Sequence, residues 1–286
     1  MLNAFSFDVD ELEPAMRESA DLPLVDAPSF IVENTEFTLR MLERHGVRAT
    51  FFINGRSVAP HPGLIRRIAE EGHEIGVHSF SHRFLDRYEK PEDFREDMES
   101  CIDLIRGEID EQPIGYRAPG NSLCSNLPVA LDVLRDLGFR YSSSIPMVAS
   151  PRQHGIRHGP EHPFVWDNGL IEFPLPGIRV AGIAFPVLGA HVLRLLPYWC
   201  TAAGLRRLNA SGGRGFLYAH SFEFFDQPLT RECLWASYGQ RAYLLRRGPQ
   251  MARKVDRLLS EFQFAPYREF LDGDYPKGDF IPPNQR

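Results

Sequence analysis

Residues 73–84 read HEIGVHSFSHRF. The first half, 73–77, is a short run of strand character, and the second sets His78 and His82 four residues apart. If the chain turns helical at this point, the two rings lie on one face. Two neutral imidazole nitrogens can then reach a single divalent ion. The pair alone does not make a metal site, because nothing in the local sequence supplies the outer partners that orient a ligating ring. Its weight depends on what stands elsewhere in the chain.

Upstream, residues 2–9 form an apolar run containing Phe5 and Phe7, a buried strand that ends in Asp8-Val9-Asp10. A period of two puts both carboxylates on one side of that strand end. An acidic loop is expected over 11–26. A helix follows Pro28, with Phe30, Phe37, Met41 and Leu42 at helical spacing and Gly46 as its stop. RATFFIN at 48–54 reads as a second strand, and 62–72 as a short helix with Leu64, Ile65 and Ile68 inside. Downstream of the histidines, an amphipathic helix runs from 91 to about 108 with Phe94, Met98, Cys101 and Ile105 on one stripe. A strand at 114–118 carries Arg117, a helix opens near Asn126 and Pro128 and closes at Gly138, and a fifth strand covers 140–144. Strand and helix in steady alternation specify an α/β fold with a parallel sheet or barrel.

The rhythm loosens after Pro146. Pro, Gly and His crowd residues 151–163, a loop signature. LIEFPL at 170–175 reads as a strand, 191–209 as a helix broken near Pro197, and GFLYAH at 215–220 as the last clear inner strand. Residues 238–262 are helical by pattern, and a short strand is expected over 263–270. The chain contains no internal repeat and no low-complexity tract. One domain over 1–270, including a C-terminal helical extension, is therefore expected, with a flexible Gly, Pro and Asp-rich tail over 271–286.

Composition narrows the function. At 286 residues and a net charge of −6, the chain does not suit nucleic-acid binding by phosphate neutralisation. No apolar run is long enough to span a bilayer, and the start lacks the basic-then-apolar layout of a secretory signal, so a cytoplasmic protein is expected. Cys101, Cys124, Cys200 and Cys233 are widely spread, which suggests reduced, mostly buried thiols rather than metal ligands.

The flagged polar residues share one position, the carboxyl end of an expected parallel strand. Asp8 and Asp10 end the first, His78 and His82 follow the third, Arg117 ends the fourth and His220 ends a late one. In α/β barrels the βα loops converge at that end and carry the chemistry. Each residue alone has a plain alternative: Asp8 or Asp10 as a helix cap, Arg117 in a structural salt bridge, His220 as a hydrogen-bonded core histidine. Their joint placement is what those alternatives explain poorly.

Taken in order, FDVD at 7–10, TFFINGR at 50–56, EIGVHSFSH at 74–82, YRAPG at 116–120 and LYAH at 217–220 resemble the motifs of the NodB-type polysaccharide deacetylases, carbohydrate esterase family 4. IEFPL at 171–175, RLLPYW at 194–199 and AHSFEF at 219–224 are similar to the subfamily of exopolysaccharide and exosortase loci. The resemblance covers most of the chain up to about residue 270. It implies a distorted, incomplete (β/α) barrel of seven strands and one divalent metal, usually zinc, with cobalt, nickel or iron as alternatives. It also implies Asp10, His78 and His82 as ligands, Asp8 as catalytic base, Arg117 as the group that holds Asp8 charged and oriented, and His220 as general acid. The implied partner is an N-acetylated sugar in a polysaccharide or in a cytoplasmic precursor, deacetylated by water.

The sequence departs from that pattern in places. Val9 separates the two aspartates, which many relatives carry adjacent; Ser142 stands where an Asp is common; Ser221-Phe222 replaces a frequent Pro-Trp. The resemblance leaves room for a deformylase or allantoinase-like hydrolase on the same fold. A degenerate glycan-binding protein is a further alternative, although a pure binding module needs no base and acid flanking a metal. His154, His158 and His162 are read as solvated or substrate-facing, not as a second metal site. Trp166, Phe185, Tyr198, Trp199 and Phe222 are read mostly as core, with one or two of them available to stack on a sugar ring, and Glu172 and Glu223 as possible outer partners of the site. The oligomeric state is not readable.

Overall fold

The computed structural model describes residues 1–19, 22–123, 127–147, 160–175, 177–180, 183–186, 188–228, 230 and 248–278. The first half alternates as expected: β1 (Leu2–Val9), α1 (Leu12–Ser19), α2 (Ile31–Arg44), β2 (Thr50–Ile53), α3 (Gly55–Val58), α4 (Leu64–Glu70), β3 (Glu74–Val77), α5 (Pro91–Ile109), β4 (Gly115–Tyr116), α6 (Leu127–Asp136) and β5 (Tyr141–Ser142). The second half adds β6 (Phe164–Val165), β7 (Ile171–Glu172), a hairpin of β8 (Gly177–Val180) and β9 (Ile183–Pro186), α7 (Ala190–Leu195), α8 (Tyr198–Ala210), β10 (Phe216–His220), α9 (Pro249–Glu261) and β11 (Gln263–Ala265). Among the described residues no helix is long and apolar enough to cross a membrane.

The main sheet runs β10-β1-β2-β3-β4-β5-β7-β6. Its first seven strands are parallel, and β6 closes the order antiparallel to β7. Strand order therefore follows the chain from β1 to β5, as short right-handed crossovers require. β11 pairs with Leu2 to Ala4 of β1, below the stretch 6–9 that β2 takes. The sheet curls far enough for Phe173, just after β7, to stack on Phe216 of β10 with ring centroids 5.0 Å apart. This is a distorted, incomplete barrel with seven parallel strands.

Alternation gives each strand two apolar faces with different neighbours. Phe5, Phe7, Val9, Phe51, Ile53 and Val77 face outward into the layer under the helices. Ala4, Phe52, Tyr141, Phe173, Phe216 and Tyr267 fill the barrel floor. Each fully buried phenylalanine contributes about 1.5–3 kcal/mol, so both layers drive the curl. The floor is aromatic, with Tyr141 and Tyr267 stacked at 5.5 Å, and its buried Glu74 is answered by Thr50 and Tyr141.

Several expectations need correction. The acidic loop at 11–26 contains a helix, α1, whose Arg17 is buried against Glu13 at 2.9 Å. The break expected near Pro197 is present, by contrast, with α7 and α8 parted at Leu196 and Pro197. The strand expected over 263–270 stops at Ala265, and Tyr267–Phe270 is a 3-10 turn. Residues 271–278, expected in the flexible tail, are partly tied down. Val165 bonds the Pro276 carbonyl and the Gly278 amide, and Tyr275 packs on Phe173. The remainder of that tail, 279–286, lies outside the described residues, as do 238–247 of the last expected helix, Cys124, Cys233, His154 and His158. Cys101 is a buried free thiol and Cys200 a half-buried one. His162 is exposed, as are Phe185 and Trp199, which are therefore not core.

Candidate active and metal site

Asp8 and Asp10 leave β1 on the inner face, as a period of two demands, and both are almost fully buried. The histidines come together by another route than expected. Residues 78–82 form no helix; His78 continues the line of β3, its amide bonding the Ile53 carbonyl at 2.8 Å. The chain then reverses through Ser79 (φ 58°) and His82 (φ 61°), two non-glycine residues in the left-handed region. That reversal, not a helical turn, brings His82 back beside His78, with ring centroids 5.0 Å apart.

Local bonds hold this loop. Ser79 Oγ accepts the His82 amide at 2.8 Å. Asp97 on α5 accepts the amides of Phe80 (2.9 Å) and Ser81 (3.0 Å). The amides of Gly55 and Arg56, at the start of α3, donate to the carbonyls of Ser79 and Phe80. Gly55 is needed for close approach, since a Cβ there would lie 2.4 Å from the Phe80 ring. The TFFINGR stretch thus acts as a bracket for the histidine loop.

Asp10, His78 and His82 offer ligand atoms that lie within 4.8 Å of one another. Nε2 of His78 is 3.6 Å from Asp10 Oδ2, and Nε2 of His82 is 3.5 Å from it. These separations are too long for good hydrogen bonds. Asp10 Oδ1 and His82 Nδ1 are buried without a hydrogen-bond partner. His78 Nδ1 faces the Arg117 carbonyl at 2.8 Å, an arrangement that places the proton on Nδ1 and turns the Nε2 lone pair toward Asp10. The residues therefore fit a divalent cation: one carboxylate and two imidazoles converge, with a polar atom left unanswered between them. Burial pushes the Asp10 carboxyl up, but His82 and His78 outweigh it and hold it well below the usual carboxylate range. Burial lowers His78, whereas in His82 the Asp10 charge overcomes burial and raises it.

Arg117 is fully buried and spends all its donors inside the barrel. Nε donates to the Ser143 carbonyl (2.9 Å), one terminal nitrogen to Ser6 Oγ and Asp8 Oδ1 (both 2.9 Å), the other to Ser143 Oγ (2.9 Å) and Tyr267 Oη (3.1 Å). Its guanidinium carbon lies 4.4 Å from the Phe52 ring centroid. Through its side chain it fixes Asp8; through its carbonyl it fixes His78. The second link is invisible in sequence.

His220 ends β10 directly opposite Asp8 in register. Its Nε2 stands 3.9 Å from Asp8 Oδ2, and its ring stacks on Phe222 at 4.8 Å. On the other edge Nδ1 is 3.4 Å from Glu223 Oε1. Glu223 is fully buried and ion-paired with Arg194 of α7, itself fully buried. Burial would lower His220, but the Glu223 hydrogen bond and charge, then Asp8 and Asp10, raise it above its ordinary value. Among the six singled-out residues, Asp8, Asp10, His78 and Arg117 are buried, while His82 and His220 keep 14% and 13% of their side chains exposed, so access is from one side. Glu172, also singled out, sits one step back and accepts the amides of Ser144 and Ile145. It shapes the exit of β5 and so the position of Ser143.

Known proteins resemble this chain in sequence and in fold. Residues 23–142 match the polysaccharide deacetylase family model, and residues 142–272 match a domain of unknown function, DUF3473. A peptidoglycan-N-acetylglucosamine deacetylase from Listeria monocytogenes is 51% identical over 57 residues, 20% of this chain and 12% of that relative. One from Bacillus cereus is 34% identical over 107 residues, 37% of this chain and 38% of that relative. A chitooligosaccharide deacetylase from a Bradyrhizobium strain is 38% identical over 86 residues, 30% of this chain and 39% of that relative. The chain thus spans well under half the length of these curated relatives. Among solved structures, a candidate polysaccharide deacetylase from Mycobacterium smegmatis superposes with a TM-score of 0.61 at 20% identity, over 98% of this chain and 93% of that one. A family 4 carbohydrate esterase pseudoenzyme from Bacillus anthracis gives 0.53 at 12% identity, over 97% and 67%. Both likenesses are of fold alone. With the ordered motifs, the family model over residues 23–142 and the half-barrel in agreement, the first half of the chain carries the NodB-type polysaccharide deacetylase pattern.

Proposed function

We propose that this chain is a metal-dependent hydrolase that removes the acetyl group from an N-acetylated sugar in a polysaccharide or its precursor. One observation carries the reading: Asp8 and His220, an acid–base pair 3.9 Å apart, stand beside a convergent Asp10, His78 and His82 set. The substrate class is taken from the relatives, whose names specify N-acetylglucosamine in peptidoglycan and chitooligosaccharides.

Asp10, His78 and His82 would hold the ion, with zinc as the first candidate. Such an ion supplies Lewis-acid chemistry, polarising the acyl carbonyl and making water more acidic. The protein's own groups do the rest. Asp8, oriented by Arg117 through Oδ1, takes a proton from the attacking water. The water oxygen bonds to the amide carbon. His220, whose charged form is favoured by Glu223 and Asp8, delivers a proton from Nε2 to the sugar nitrogen as the C–N bond breaks. Acetate and a free amine result.

The test is elemental analysis of purified wild type, Asp10→Ala and His82→Ala, followed by acetate release from N-acetylglucosamine oligomers. About one transition metal per chain, lost in both variants, together with metal-dependent acetate release from the wild type, is the expected result. A wild type that stays metal-free after reconstitution would sink the reading.

A further inference from the structure

His220 can serve as a proton donor only if its ring presents Nε2 to the substrate, and a free imidazole has no such preference. The groups that lie on its other edge therefore matter. Ser142 is not among them: its hydroxyl is buried and donates to Ser144 Oγ at 2.8 Å. Glu223, three residues on, reaches back instead. Its Oε1 faces His220 Nδ1 and its Oε2 accepts the His220 amide, both at 3.4 Å. The 3-10 turn Ser221–Phe224 makes this reach possible, since it folds the third residue over the first.

A carboxylate with no exposed surface needs a cation. Arg194 provides it from α7, with its guanidinium bonded to the same Oε1 that faces the ring. Neither side chain has measurable exposure. A buried, paired carboxylate cannot swing away to water, and Phe222 stacked on the imidazole removes the other freedom of the ring. α7 thus meets β10 and the turn that follows it at one histidine edge.

We propose that Glu223, clamped by Arg194, is the positioning residue of His220: it accepts the Nδ1 proton and so leaves Nε2 as the donor beside Asp8. This rests on the deacetylase reading above. Glu223 acts through His220, so its removal should damage only the step that needs a proton donor. Cleavage of an amide needs protonation of the departing nitrogen, whereas 4-nitrophenolate leaves an acetate ester unprotonated.

The experiment compares wild type, Glu223→Gln and the double variant Arg194→Met/Glu223→Leu. The double variant removes both buried charges together, so it folds even where a lone unpaired arginine would not. Kinetics are measured on an N-acetylglucosamine oligomer and on 4-nitrophenyl acetate. Nitrogen-15 spectra of the metal-free proteins at alkaline pH, where the ring is neutral, report the His220 tautomer. In the double variant kcat on the amide is expected to fall by about 10²-fold or more, with KM little changed and the ester affected less than about 3-fold. Its His220 tautomer changes from Nδ1–H to a mixture, and Glu223→Gln falls between the two. An unchanged tautomer, or equal losses on amide and ester, overturns the assignment. A wild type with the Nδ1–H tautomer that releases no acetate overturns the deacetylase reading instead, and the catalytic sense of this assignment with it.

Discussion

The guanidinium of Arg117 makes five hydrogen bonds from five N–H groups, all inside the barrel. A planar fork can do this; a lysine ammonium has three donors and no plane. Arg117→Lys therefore keeps the charge opposite Asp8 but abandons Ser143 or Tyr267, and should cost about 2 kcal/mol or more of unfolding free energy. Arg117→Ala leaves Asp8 buried and uncompensated, and should cost about 3–5 kcal/mol. Urea titrations of the three proteins rank them; equal midpoints for wild type and Arg117→Lys would show that the fork geometry is idle. Arg117 itself was legible at its strand end in YRAPG, and its link to Asp8 came from the family resemblance. Its partners Ser6, Ser143 and Tyr267 were not, because small hydroxyls occur everywhere and Tyr267 arrives from the far end of the chain.

The element that matters most is the histidine loop between β3 and α5. Its two histidines were readable at their spacing of four, yet the expected helical geometry was wrong. The chain reverses instead at Ser79 and His82, and Asp97 takes the amides of Phe80 and Ser81 from outside the loop. Asp97→Ala should strand those amides, cost about 1–3 kcal/mol and weaken metal binding by about 10–100-fold, measured by competition with a chelator of known affinity. Unchanged metal affinity would mean that the loop is held by Ser79 and the α3 bracket alone. The break between α7 and α8 was also readable, since Pro197 cannot donate a helical bond. It lets α7 turn Arg194 inward to Glu223 while α8 starts afresh.

At the level of the whole molecule, the barrel brings β5, β7 and β10 close enough for one buried carboxylate to influence the site. Burial raises Glu172 to about 7, against the opposing bonds from Ser144 and Ile145. A carboxyl that binds its proton more tightly when folded adds stability that is complete below the unfolded value of 4.5. That contribution declines as pH rises toward about 7 and is gone above it. Glu172→Gln, neutral at every pH and still able to accept both amides, should therefore lose less of its melting temperature than the wild type between pH 5 and pH 8. Parallel melting curves for the two proteins across that range would contradict a buried, proton-binding Glu172. Tyr267→Phe offers a second probe of the same closure, because it removes the hydroxyl that Arg117 and Ser143 share. It should cost about 1 kcal/mol, again from urea midpoints.

The alternation of strand and helix up to residue 144, the inward pairing of Asp8 with Asp10 and the strand-end placement of Arg117 and His220 follow from local periodicity. A strand repeats every two residues and a helix every 3.6 whatever lies beyond them. That local logic ended where spacing stopped being the constraint. The carbonyl of Arg117 on His78, the pairing of β11 with β1 and the bond from Arg194 to Glu223 all join residues that sequence distance says nothing about. They exist because a curled sheet places the carboxyl ends of its strands around one small volume. Buried polar atoms there must find partners wherever the chain happens to pass.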